Sequence, residues 1–487
     1  MSCPKYALLL TIKVLLVSAG MLLAQGSLTP PGAPGPSMKS LDQVASTGIA
    51  INATNTPGDA SNHFIINQAG SYFLTGNMGV TKTNGIRVNV AGVTIDLNGF
   101  EISRSSGSGG DAITITTPAH RCTAKNGSLT GFAQGINCIT TTARGCVFRN
   151  LAAANCTNIG IRAGEGAVVD SCRAHDCSGA AGILTANAGT LLNCTAVGNS
   201  ASNAIQTGAG STLSNCTASS NTGTNAFSVG GGCALTNCAA TSNVLSGSGI
   251  LTGIGCPLNN CTARNNTATY GINAGAGSSL NNCTSANNTS TYGIVGATGS
   301  SLSNCTAASN TSGAATSGGI LSGAGSTITN CDAHSHTSTA GTLTSTTAMG
   351  FDVGSGNTIQ GCRAYNNQGD GINLSSQSFA RSNACGGNGG STSAAGLRAT
   401  SGDNRIEGNN LSLNVKDNIA VDGTGSIIIK NTCAGIFGSS LSINYAIAAG
   451  NSYGVIIDDS SGSGDPVFGS SAPATFGSPN AWANFSY

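Results

Sequence analysis

The sequence is poor in charged and aromatic residues. Of its 487 residues, 8% are charged and 4% are aromatic, with a single tryptophan, whereas soluble domains typically have about 25% charged residues. The 19 basic and 18 acidic residues leave a formal net charge of +1. This excludes a nucleic-acid binder, because such proteins need a strongly positive surface. The scarcity of aromatic side chains also argues against an ordinary globular enzyme with a thick aromatic core.

Long apolar runs are equally scarce. The run from Ala7 to Leu23 follows Lys5 and is interrupted by Lys13, which is typical of a secretory signal and not of a membrane anchor, because lysine is costly in lipid. No later run approaches the roughly 18 apolar residues of a membrane-spanning helix. We predict a signal peptide over residues 1–24, a Pro/Gly-rich linker over 25–45 and no transmembrane segment in the mature chain. The expected location is extracellular or at the cell surface, with the periplasm as the alternative.

Glycine and cysteine, in contrast, are abundant, and the cysteines are regularly spaced. Intervals of 22 or 23 residues separate seven of them: Cys172, Cys194, Cys216, Cys238, Cys261, Cys283 and Cys305. Around most of them an asparagine stands one residue before, an alanine two after and a second asparagine five after. The series extends less regularly upstream to Cys146 and Cys122, and downstream to Cys331 and Cys362. A second pattern, Gly or Ala followed by an apolar residue, recurs with the same period.

A fixed period of this length predicts a solenoid. The apolar stripes of helical repeats are missing, and Gly, Asn, Ser and Thr at this density disfavour helices. We therefore predict an all-β fold, a single-stranded right-handed parallel β-helix with about 22 residues per coil. The N-terminal cap and first coils span 46–105, the β-helix spans 106–460 and a capping tail spans 461–487. Equivalent residues of successive coils then lie about 4.8 Å apart, so that small Cys and Ala side chains fill a narrow core.

The repeated Asn-Cys-Thr-Ala units between residues 120 and 375 resemble those of right-handed parallel β-helix proteins of the pectate-lyase-like superfamily. The segments 70–77 and 93–100 are similar to the first coils of secreted bacterial β-helix proteins, many of them uncharacterised. The resemblance implies the fold. It implies no catalytic residue, because of the polygalacturonase-like motifs only Asp458-Asp459 occurs, without its partners, and the pectate lyase Arg-x-Pro-x-x-Arg segment is missing.

Two readings of the cysteines stay open. They are either stacked, buried thiols or cross-links between neighbouring coils, since stacked Cα atoms fall within the disulfide range. Cys233 and Cys256 each stand five residues before a cysteine of the regular series, in adjacent coils. Cys156 and Cys177 also occupy near-equivalent points. We predict these two pairs as possible disulfides and the regular series as a stack of thiols. No Cys-x-x-Cys pair occurs, so the cysteines do not indicate a metal site.

A first charged cluster lies in the N-terminal third. Lys125, Arg149 and His175 each stand three residues after a cysteine of the series, which predicts one outward row. Arg173 and Asp176 are close to them, as are Arg162, Glu165 and Asp170. Stacked like charges need neutralisation, either by an anionic ligand such as a uronate or sulfated sugar, or by the neighbouring acids. Lys125, Arg149, Arg173, His175 and Asp176 are therefore candidate ligand-binding residues.

A second charged cluster coincides with the two longest coils, where loops must bulge from the rod. It contains Asp332, His334, His336, Asp352, Arg363, Tyr365 and Asp370. The candidate catalytic residues are His334, Asp352, Arg363, Asp332 and Asp370, with Tyr365 as a candidate ligand contact. Asp332, His334 and His336 stand at alternate positions, which would place them on one side of a strand. His336 also occupies the position of a corner asparagine, so the alternative interpretation is that it replaces this asparagine and has no functional role.

The sequence favours a secreted or cell-surface protein without catalytic activity that binds polysaccharide or has a structural or adhesive role. The alternative is a carbohydrate-active enzyme, a polysaccharide lyase or glycoside hydrolase, acting near residues 332–370. A third and more remote hypothesis is binding to ice or another repetitive surface through an outward threonine row formed by Thr195, Thr217, Thr262, Thr284 and Thr306. Polysaccharide is the expected partner. No cofactor or metal is indicated, although calcium stays open at the acidic coils.

Overall fold

The computed structural model describes residues 48–104, 109–116, 118–138, 143–390, 394–436, 443–458, 471–472 and 480–486. The predicted signal peptide and linker lie outside these ranges, as does most of the predicted tail. The chain from Ile49 onward forms one unit, and its described residues form strands and turns without a helix. Accordingly, no helix of these ranges is long and apolar enough to cross a membrane.

Each coil contributes strands to three faces, which we name A, B and C in chain order. Face A consists of Ile49–Ala50, Gly70–Phe73, Val93–Asp96, Val168–Asp170, Thr190–Leu192, Thr212–Ser214, Ala234–Thr236, Pro257–Asn259, Ser279–Asn281, Ser301–Ser303, Thr327–Thr329, Thr358–Gln360, Phe379–Arg381, Arg405–Glu407, Ile427–Ile429 and Ser452–Tyr453. Face B consists of Met78–Gly79, Glu101–Ser103, Arg173–His175, Thr195–Val197, Thr217–Ser219, Ala239–Thr241, Thr262–Arg264, Thr284–Ala286, Thr306–Ala308, Asp332–His334, Arg363–Tyr365, Ala384–Gly386, Asn410–Asn414, Thr432–Ile436, Ile456–Asp458, Ser471–Ala472 and Asn484–Ser486. The long strands Thr123–Thr130 and Val147–Ala154 run through both faces.

Face C completes the coil. It consists of Asn62–Ile66, Asn84–Val88, Asp111–Ile115, Gln134–Cys138, Ile159–Ala163, Ser178–Thr185, Ser200–Thr207, Asn225–Val229, Ser248–Thr252, Tyr270–Ala274, Tyr292–Gly296, Gly318–Ser322, Met349–Val353, Ile372–Leu374, Ala395–Ala399, Asp417–Val421 and Ile443–Ile447. Short strands precede some of these, namely Thr222–Gly223, Val244–Leu245, Thr311–Ser312 and Thr337–Ser338.

Strands of one face pair in parallel, with equivalent residues of successive coils in register. Leu191, Leu213 and Leu235 form one such row on face A, and the step along the chain is 22 residues in these regular coils. The predicted fold class, an all-β parallel β-helix, is confirmed. The predicted threonine row is also confirmed as one row on face B, running from Thr195 to Thr306 with Ala239 interrupting it.

The core is built from rows of small and medium side chains at fixed points of the coil. In the coil that begins at Thr190, for example, Leu191, Cys194, Ala196 and Ile205 are all fully buried. The corner between faces A and B needs a residue in the left-handed region, which asparagine tolerates better than most residues. Asn193, with a φ of 53°, is one of the corner asparagines. The core therefore fills mainly with small and medium side chains and needs only a few aromatic ones, such as Phe227 and Phe351, which explains the unusual composition.

A ladder of buried asparagines closes the corner between faces B and C. At Asn221 both the backbone N–H and the Nδ2 group donate to Oδ1 of Asn243, each at 2.9 Å, and Nδ2 also donates to the carbonyl of Ala196 at 3.1 Å. Each side chain therefore satisfies its own polar atoms and a neighbouring backbone group, as buried amides require. The ladder contains Asn199, Asn221, Asn243, Asn266, Asn288, Asn310, Asn367, Asn388 and Asn414.

The regular cysteine series is a second buried ladder, and asparagines continue it downstream. The backbone N–H of Cys331 donates to Sγ of Cys362, and that of Cys362 donates to Oδ1 of Asn383. Upstream, the predicted extension to Cys146 and Cys122 is wrong. Because Val147–Ala154 continues through the corner as one strand, Val147 pairs with Val168 of face A, and Cys146 falls into the row of Cys233 and Cys256.

Candidate functional site

The candidate site is built on two neighbouring strands of face B, Asp332–His334 and Arg363–Tyr365. The central alanine of each strand is buried, so the residues on either side of it point outward, as alternation along a strand requires. Asp332 pairs in register with Arg363, and His334 pairs with Tyr365. Since Thr306 pairs with Asp332, the neutral threonine row ends where this charged and aromatic patch begins.

The four outward side chains contact one another. The rings of His334 and Tyr365 are stacked, with centroids 4.6 Å apart and planes inclined by 10°. The guanidinium carbon of Arg363 lies 5.2 Å from the centroid of the Tyr365 ring, within the range of a cation–π contact. Nη1 of Arg363 lies 3.7 Å from Oδ2 of Asp332. The patch therefore offers a rigid aromatic ring and a guanidinium whose ion pair is long enough to accept a second partner.

Beside this patch the surface falls into a depression of about 200 Å³. The next coil carries the small residues Ala384 and Gly386 at the positions of Arg363 and Tyr365, and the coil after that carries Asn410 and Ser412. The stacked ring and the guanidinium thus form one wall, and an amide and a hydroxyl form the other. We name this feature the Tyr365 depression. An aromatic face with a few convergent polar groups is typical of small-ligand sites.

The predicted catalytic set is divided between two faces. Asp332, His334 and Arg363 lie on face B at the Tyr365 depression, whereas Asp352 lies on a strand of face C and Asp370 lies in the turn just before the next strand of that face. The prediction that Asp332, His334 and His336 share one side of a strand is wrong. The strand ends at His334, and the chain then turns at Ser335, with a φ of 58°, so that His336 points into the core.

His336 occupies one position of the buried asparagine ladder. This confirms the alternative interpretation of the sequence, in which His336 replaces a corner asparagine. Its Nδ1 accepts the backbone N–H of Asn310 at 3.2 Å, and its own N–H donates to Oδ1 of Asn367 at 3.2 Å. Its Nε2 makes no hydrogen bond. Complete burial lowers the pKa of His336 to about 3, from an ordinary 6.5. The imidazole is therefore neutral and inaccessible, and it takes no part in the candidate site.

On face C, Asp352 forms a hydrogen-bonded group with residues of other coils. The Tyr292 hydroxyl donates to Oδ2 of Asp352 at 2.8 Å, although the two strands are two coils apart. The tyrosine spans this distance because its neighbour in the intervening coil is Gly318, which leaves room for the ring. Nδ2 of Asn373 donates to Oδ1 of Asp352 at 3.3 Å. Burial raises the pKa of Asp352 and also that of Tyr292.

Asp370 belongs to a neighbouring ionic network on the same face. Its Oδ2 lies 3.2 Å from Nε of Arg398, whose Nη1 lies 2.8 Å from Oδ2 of Asp422. The backbone N–H of Ala395 donates to Oδ1 of Asp370 at 2.6 Å. Burial raises the pKa of Asp370 to about 7, despite the opposing effect of Arg398. Asp370 is completely buried, so it supports Arg398 and does not itself meet a ligand.

Two cations of the N-terminal cluster, Lys125 and Arg149, pair with neighbouring acids. Lys125 and Arg149 are neighbours in register, but Arg149 next pairs with Asp170, not with His175. Lys125 forms an ion pair with Asp96 at 3.0 Å, and Arg149 lies 3.7 Å from Asp170. The predicted row of three cationic residues is therefore wrong at His175. The reason is the same as for Cys146, because Val147–Ala154 continues through the corner as one strand.

The remaining residues predicted for that cluster lie on the next strand of face B. His175 contacts Asp176 through Nδ1, at 2.9 Å from Oδ2. Arg173 is exposed and pairs in register with Thr195, where the threonine row begins. A role for Lys125, Arg149, Arg173, His175 or Asp176 in ligand binding stays a prediction.

All cysteines in the described ranges are free, buried thiols. The predicted equivalence of Cys233 and Cys256 is present, since the N–H of Cys233 donates to Sγ of Cys256 at 3.3 Å. Cys156 and Cys177 likewise lie in one row. Both pairs are unbonded in this structure, and disulfide formation stays a prediction. Within the described ranges, no group of three or more His, Cys, Asp or Glu side chains is arranged to hold a metal ion.

The sequence did not predict several residues of the Tyr365 depression and of the face C group around Asp352. Asn410 and Ser412 carry no signal of their own, and only the register places them beside Tyr365. On face C a signal was present. The repeated Gly-apolar pattern is followed by Asp352, Asn373 and Arg398 in three successive coils, and the structure confirms that these three form one row.

Comparison with known proteins supplies no family name. No protein-family model and no curated protein matches the sequence. Among solved structures, the chain is similar to the A-module of an Azotobacter vinelandii mannuronan C-5 epimerase, at 10% identity, covering 78% of this chain and 91% of that one, with a TM-score of 0.31. It is also similar to a periplasmic alginate epimerase, at 10% identity, covering 67% and 77% of the two chains, with a TM-score of 0.30.

A pectate lyase is a further solved structure of this kind, at 12% identity, covering 78% of this chain and 64% of that one, with a TM-score of 0.20. The assignment of the fold rests on the strand register of this chain.

Proposed function

We propose that this protein binds polysaccharide chains, without cleaving them, through the Tyr365 depression. The observation that carries the proposal is the stacked pair of His334 and Tyr365 beside a recess of about 200 Å³ that also presents Arg363, Asn410 and Ser412. A sugar ring has apolar C–H faces and hydroxyl groups at its edge. An aromatic ring next to a guanidinium, an amide and a hydroxyl offers matching contacts for both.

The rest of the rod is consistent with a binding or structural role. Between residues 178 and 330 the only charged side chain is Arg264, so this long stretch offers no acid–base pair for cleavage. A signal peptide over residues 1–24, as the sequence predicts, would direct the protein out of the cytoplasm, where polysaccharides are exposed. The solved structures to which the chain is similar include a mannuronan C-5 epimerase, a periplasmic alginate epimerase and a pectate lyase.

Binding is tested with the purified protein and a panel of neutral, uronic and sulfated polysaccharides. Tyr365→Ala removes the central ring, and we expect it to cost about 2 kcal/mol, which is about thirtyfold in Kd, as for an aromatic anchor in a recognition surface. Tyr270→Ala is the matched control, because Tyr270 is also a half-buried strand tyrosine but lies on face C. Equal affinity of the Tyr365→Ala variant and wild type would refute the proposed site.

A second candidate function is carbohydrate cleavage at face C, and Asp352 is the observation that favours it. Its carboxyl group is partly exposed, lies within a group of coil-spanning hydrogen bonds and has a raised pKa. Burial raises the pKa of Asp352, and a raised pKa is the direction that favours the protonated form which a general acid needs. The neighbouring Arg398 would face an acidic sugar only if its own ion pairs rearranged.

This alternative is tested by incubating wild type with the same polysaccharide panel, with calcium present, and measuring product masses. Shortened chains would establish an enzyme. Asp352→Asn should then reduce turnover by a factor of about 100 or more, while Glu101→Gln, on face B and outside the Tyr365 depression, should leave it unchanged. Full turnover by the Asp352→Asn variant would refute a catalytic role of Asp352 on face C.

A further inference from the structure

A basic and aromatic stripe occupies the C-terminal part of face A. We name it the face A stripe, and it consists of Phe379, Arg381, Arg405, Lys430 and Trp482. Upstream on this face, the central coils carry short neutral residues at the same positions, such as Ser279 and Ser301. The stripe begins on the coil that carries Ala384 and Gly386 and continues along the following coils, and the binding proposed for the depression does not use it.

The cationic groups of the stripe are held against its aromatic rings. The guanidinium carbons of Arg381 and Arg405 lie 5.6 Å and 5.9 Å from the centroid of the Phe379 ring. The ammonium group of Lys430 lies 4.6 Å from the centroid of Trp482, whose side chain is half exposed. These contacts restrict long side chains that would otherwise lose much conformational freedom on binding a ligand.

The stripe carries an excess of positive charge. Arg405 and Lys430 share one carboxylate, Glu407, at 2.8 Å and 3.2 Å. The contact described for Arg381 is with a neutral group, since its Nη2 donates to Oε1 of Gln360 at 2.7 Å. Three cations against one carboxylate leave a local excess of two positive charges, in a chain whose total net charge is +1. An anionic partner complements such a surface.

The stripe and the Tyr365 depression meet at one corner of the coil. Gln360, which pairs in register with Arg381, ends a strand of face A. The chain then turns through Gly361 and Cys362 into the strand that begins with Arg363. Arg381 and Arg363 therefore flank the same corner, one on each face. The surface beyond Arg405 ends in a recess of about 340 Å³ lined by Ile427, Ile429 and Trp482.

We propose that the face A stripe and the Tyr365 depression form one continuous binding track for an acidic polysaccharide. Carboxylate or sulfate groups of successive sugars contact Arg363, Arg381, Arg405 and Lys430, while one sugar ring lies against Tyr365. The charge and the rows of groups repeated from coil to coil fit a polymer with a regularly repeated anion. This inference rests on the proposed function and adds the chemical class of the ligand and a second contact surface.

The test compares polygalacturonate with the same polymer after reduction of its carboxyl groups. The double variant Arg381→Gln/Arg405→Gln should weaken binding of polygalacturonate about tenfold, as two exposed charge contacts are worth together, and should flatten its salt dependence. Binding of the carboxyl-reduced polymer should not change. Arg87→Gln/Arg264→Gln is the matched control, because it removes the same charge from two exposed strand arginines, on faces C and B, that lie outside the track. Thermal melting of each variant checks the fold.

The outcomes separate this inference from the proposed function. Tyr365→Ala should weaken binding of both polymers. If wild type binds neither polymer, both the binding site at the depression and the track are refuted. Normal binding of polygalacturonate by the Arg381→Gln/Arg405→Gln variant, with Tyr365→Ala still impaired, refutes the track alone. Equal affinity of wild type for polyglutamate and polygalacturonate, with equal loss in the double variant, would overturn the commitment to a polysaccharide.

Discussion

At the scale of single residues, His336 shows how a repeat tolerates an exception. An asparagine at this position would accept two hydrogen bonds from the preceding coil, as Asn243 does from Asn221. The imidazole accepts only the backbone N–H of Asn310, and its Nε2 fits against Gly319, where any Cβ atom would lie 2.2 Å from that nitrogen. The histidine is therefore accommodated by a missing side chain on face C, at the expense of hydrogen bonds.

We predict that His336→Asn stabilises the protein by about 1–2 kcal/mol, because it restores the ladder and removes a buried nitrogen without a partner. Thermal melting at pH 7 measures this change. His334→Asn is the control, since His334 lies outside the core and its replacement should shift the melting temperature far less. A lower melting temperature for the His336→Asn variant would show that shape, not hydrogen bonding, determines the residue at this position.

The same substitution should change how stability depends on pH. The pKa of His336 is about 3 in the folded state and 6.5 by its ordinary value, so between these pH values the unfolded chain binds a proton that the folded chain does not. The neutral, buried state of His336 therefore contributes to the free energy of unfolding above pH 6.5. This contribution falls by about 1.4 kcal/mol for each pH unit below 6.5. His334, the neighbouring titratable group, also opposes protonation of His336.

Melting temperatures of wild type and His336→Asn at pH 7 and pH 5 test this prediction. The free energy of unfolding of His336→Asn should exceed that of wild type by about 2 kcal/mol more at pH 5 than at pH 7. Other groups, including Asp370 with its raised pKa, titrate in both proteins and cancel in the comparison. A constant difference would contradict the assignment of His336 as a buried, neutral group.

At the scale of elements, the ladders hold together strands that are too short to be stable alone. Strands of three residues, such as Thr195–Val197, contribute few backbone hydrogen bonds each. Every corner, however, adds side-chain bonds that run in the same direction as the backbone bonds of the sheet. The asparagine ladder and the cysteine ladder therefore connect each coil to the next at the two ends of the face B strand.

Asn266→Ala tests the contribution of one rung. Asn266 accepts from the N–H and the Nδ2 group of Asn243 at 3.0 Å and 2.8 Å, and it donates to the carbonyl of Ala240 at 2.9 Å. Its removal leaves buried backbone groups without partners, at about 1–3 kcal/mol for each. We expect a clear fall in melting temperature. Asn259→Ala, on the partly exposed part of face A, should cost less than about 0.5 kcal/mol, and an equal fall there would contradict the role of the ladder.

At the scale of the whole molecule, ladders of side chains join the coils, and the cysteines of the described ranges are free thiols. The free, buried thiols of the structure predict that a chain without Cys3 takes up alkylating reagent at all eighteen remaining cysteines after denaturation, and at few of them in the native state. Burial supports the second expectation, since it raises the pKa of Cys172, for example, to about 12 and keeps it as the unreactive thiol.

Mass spectrometry of the alkylated protein, without prior reduction, provides the count. Four labels fewer than expected would indicate that Cys233 is bonded to Cys256 and Cys156 to Cys177, and peptide mapping would identify the pairs. The reduced and alkylated sample is the control, because it should reach the full number. A full count without reduction would leave hydrogen bonding and packing as the forces that join the coils.

The sequence by itself determined the period, and the period determined the fold. In a parallel stack the spacing along the chain is also the spacing between rows, so regular intervals predict which residues lie above one another. The threonine row, the cysteine ladder from Cys172 onward and the corner position of His336 followed from counting alone. Face B residues Asp332, His334, Arg363 and Tyr365 could be grouped in advance for the same reason.

Only the tertiary structure decided what happens where coils depart from the period. A strand that continues through a corner moved Cys146 and His175 out of their predicted rows, because the count does not show where the chain turns. Because the chain passes from face B to face C after His334 and again after Tyr365, Asp352 and Asp370 are separated from the face B residues close to them in sequence. The reach of Tyr292 over Gly318 and the meeting of Arg381 with Arg363 at one corner depend on side-chain size and direction in three dimensions, which spacing along the chain does not specify.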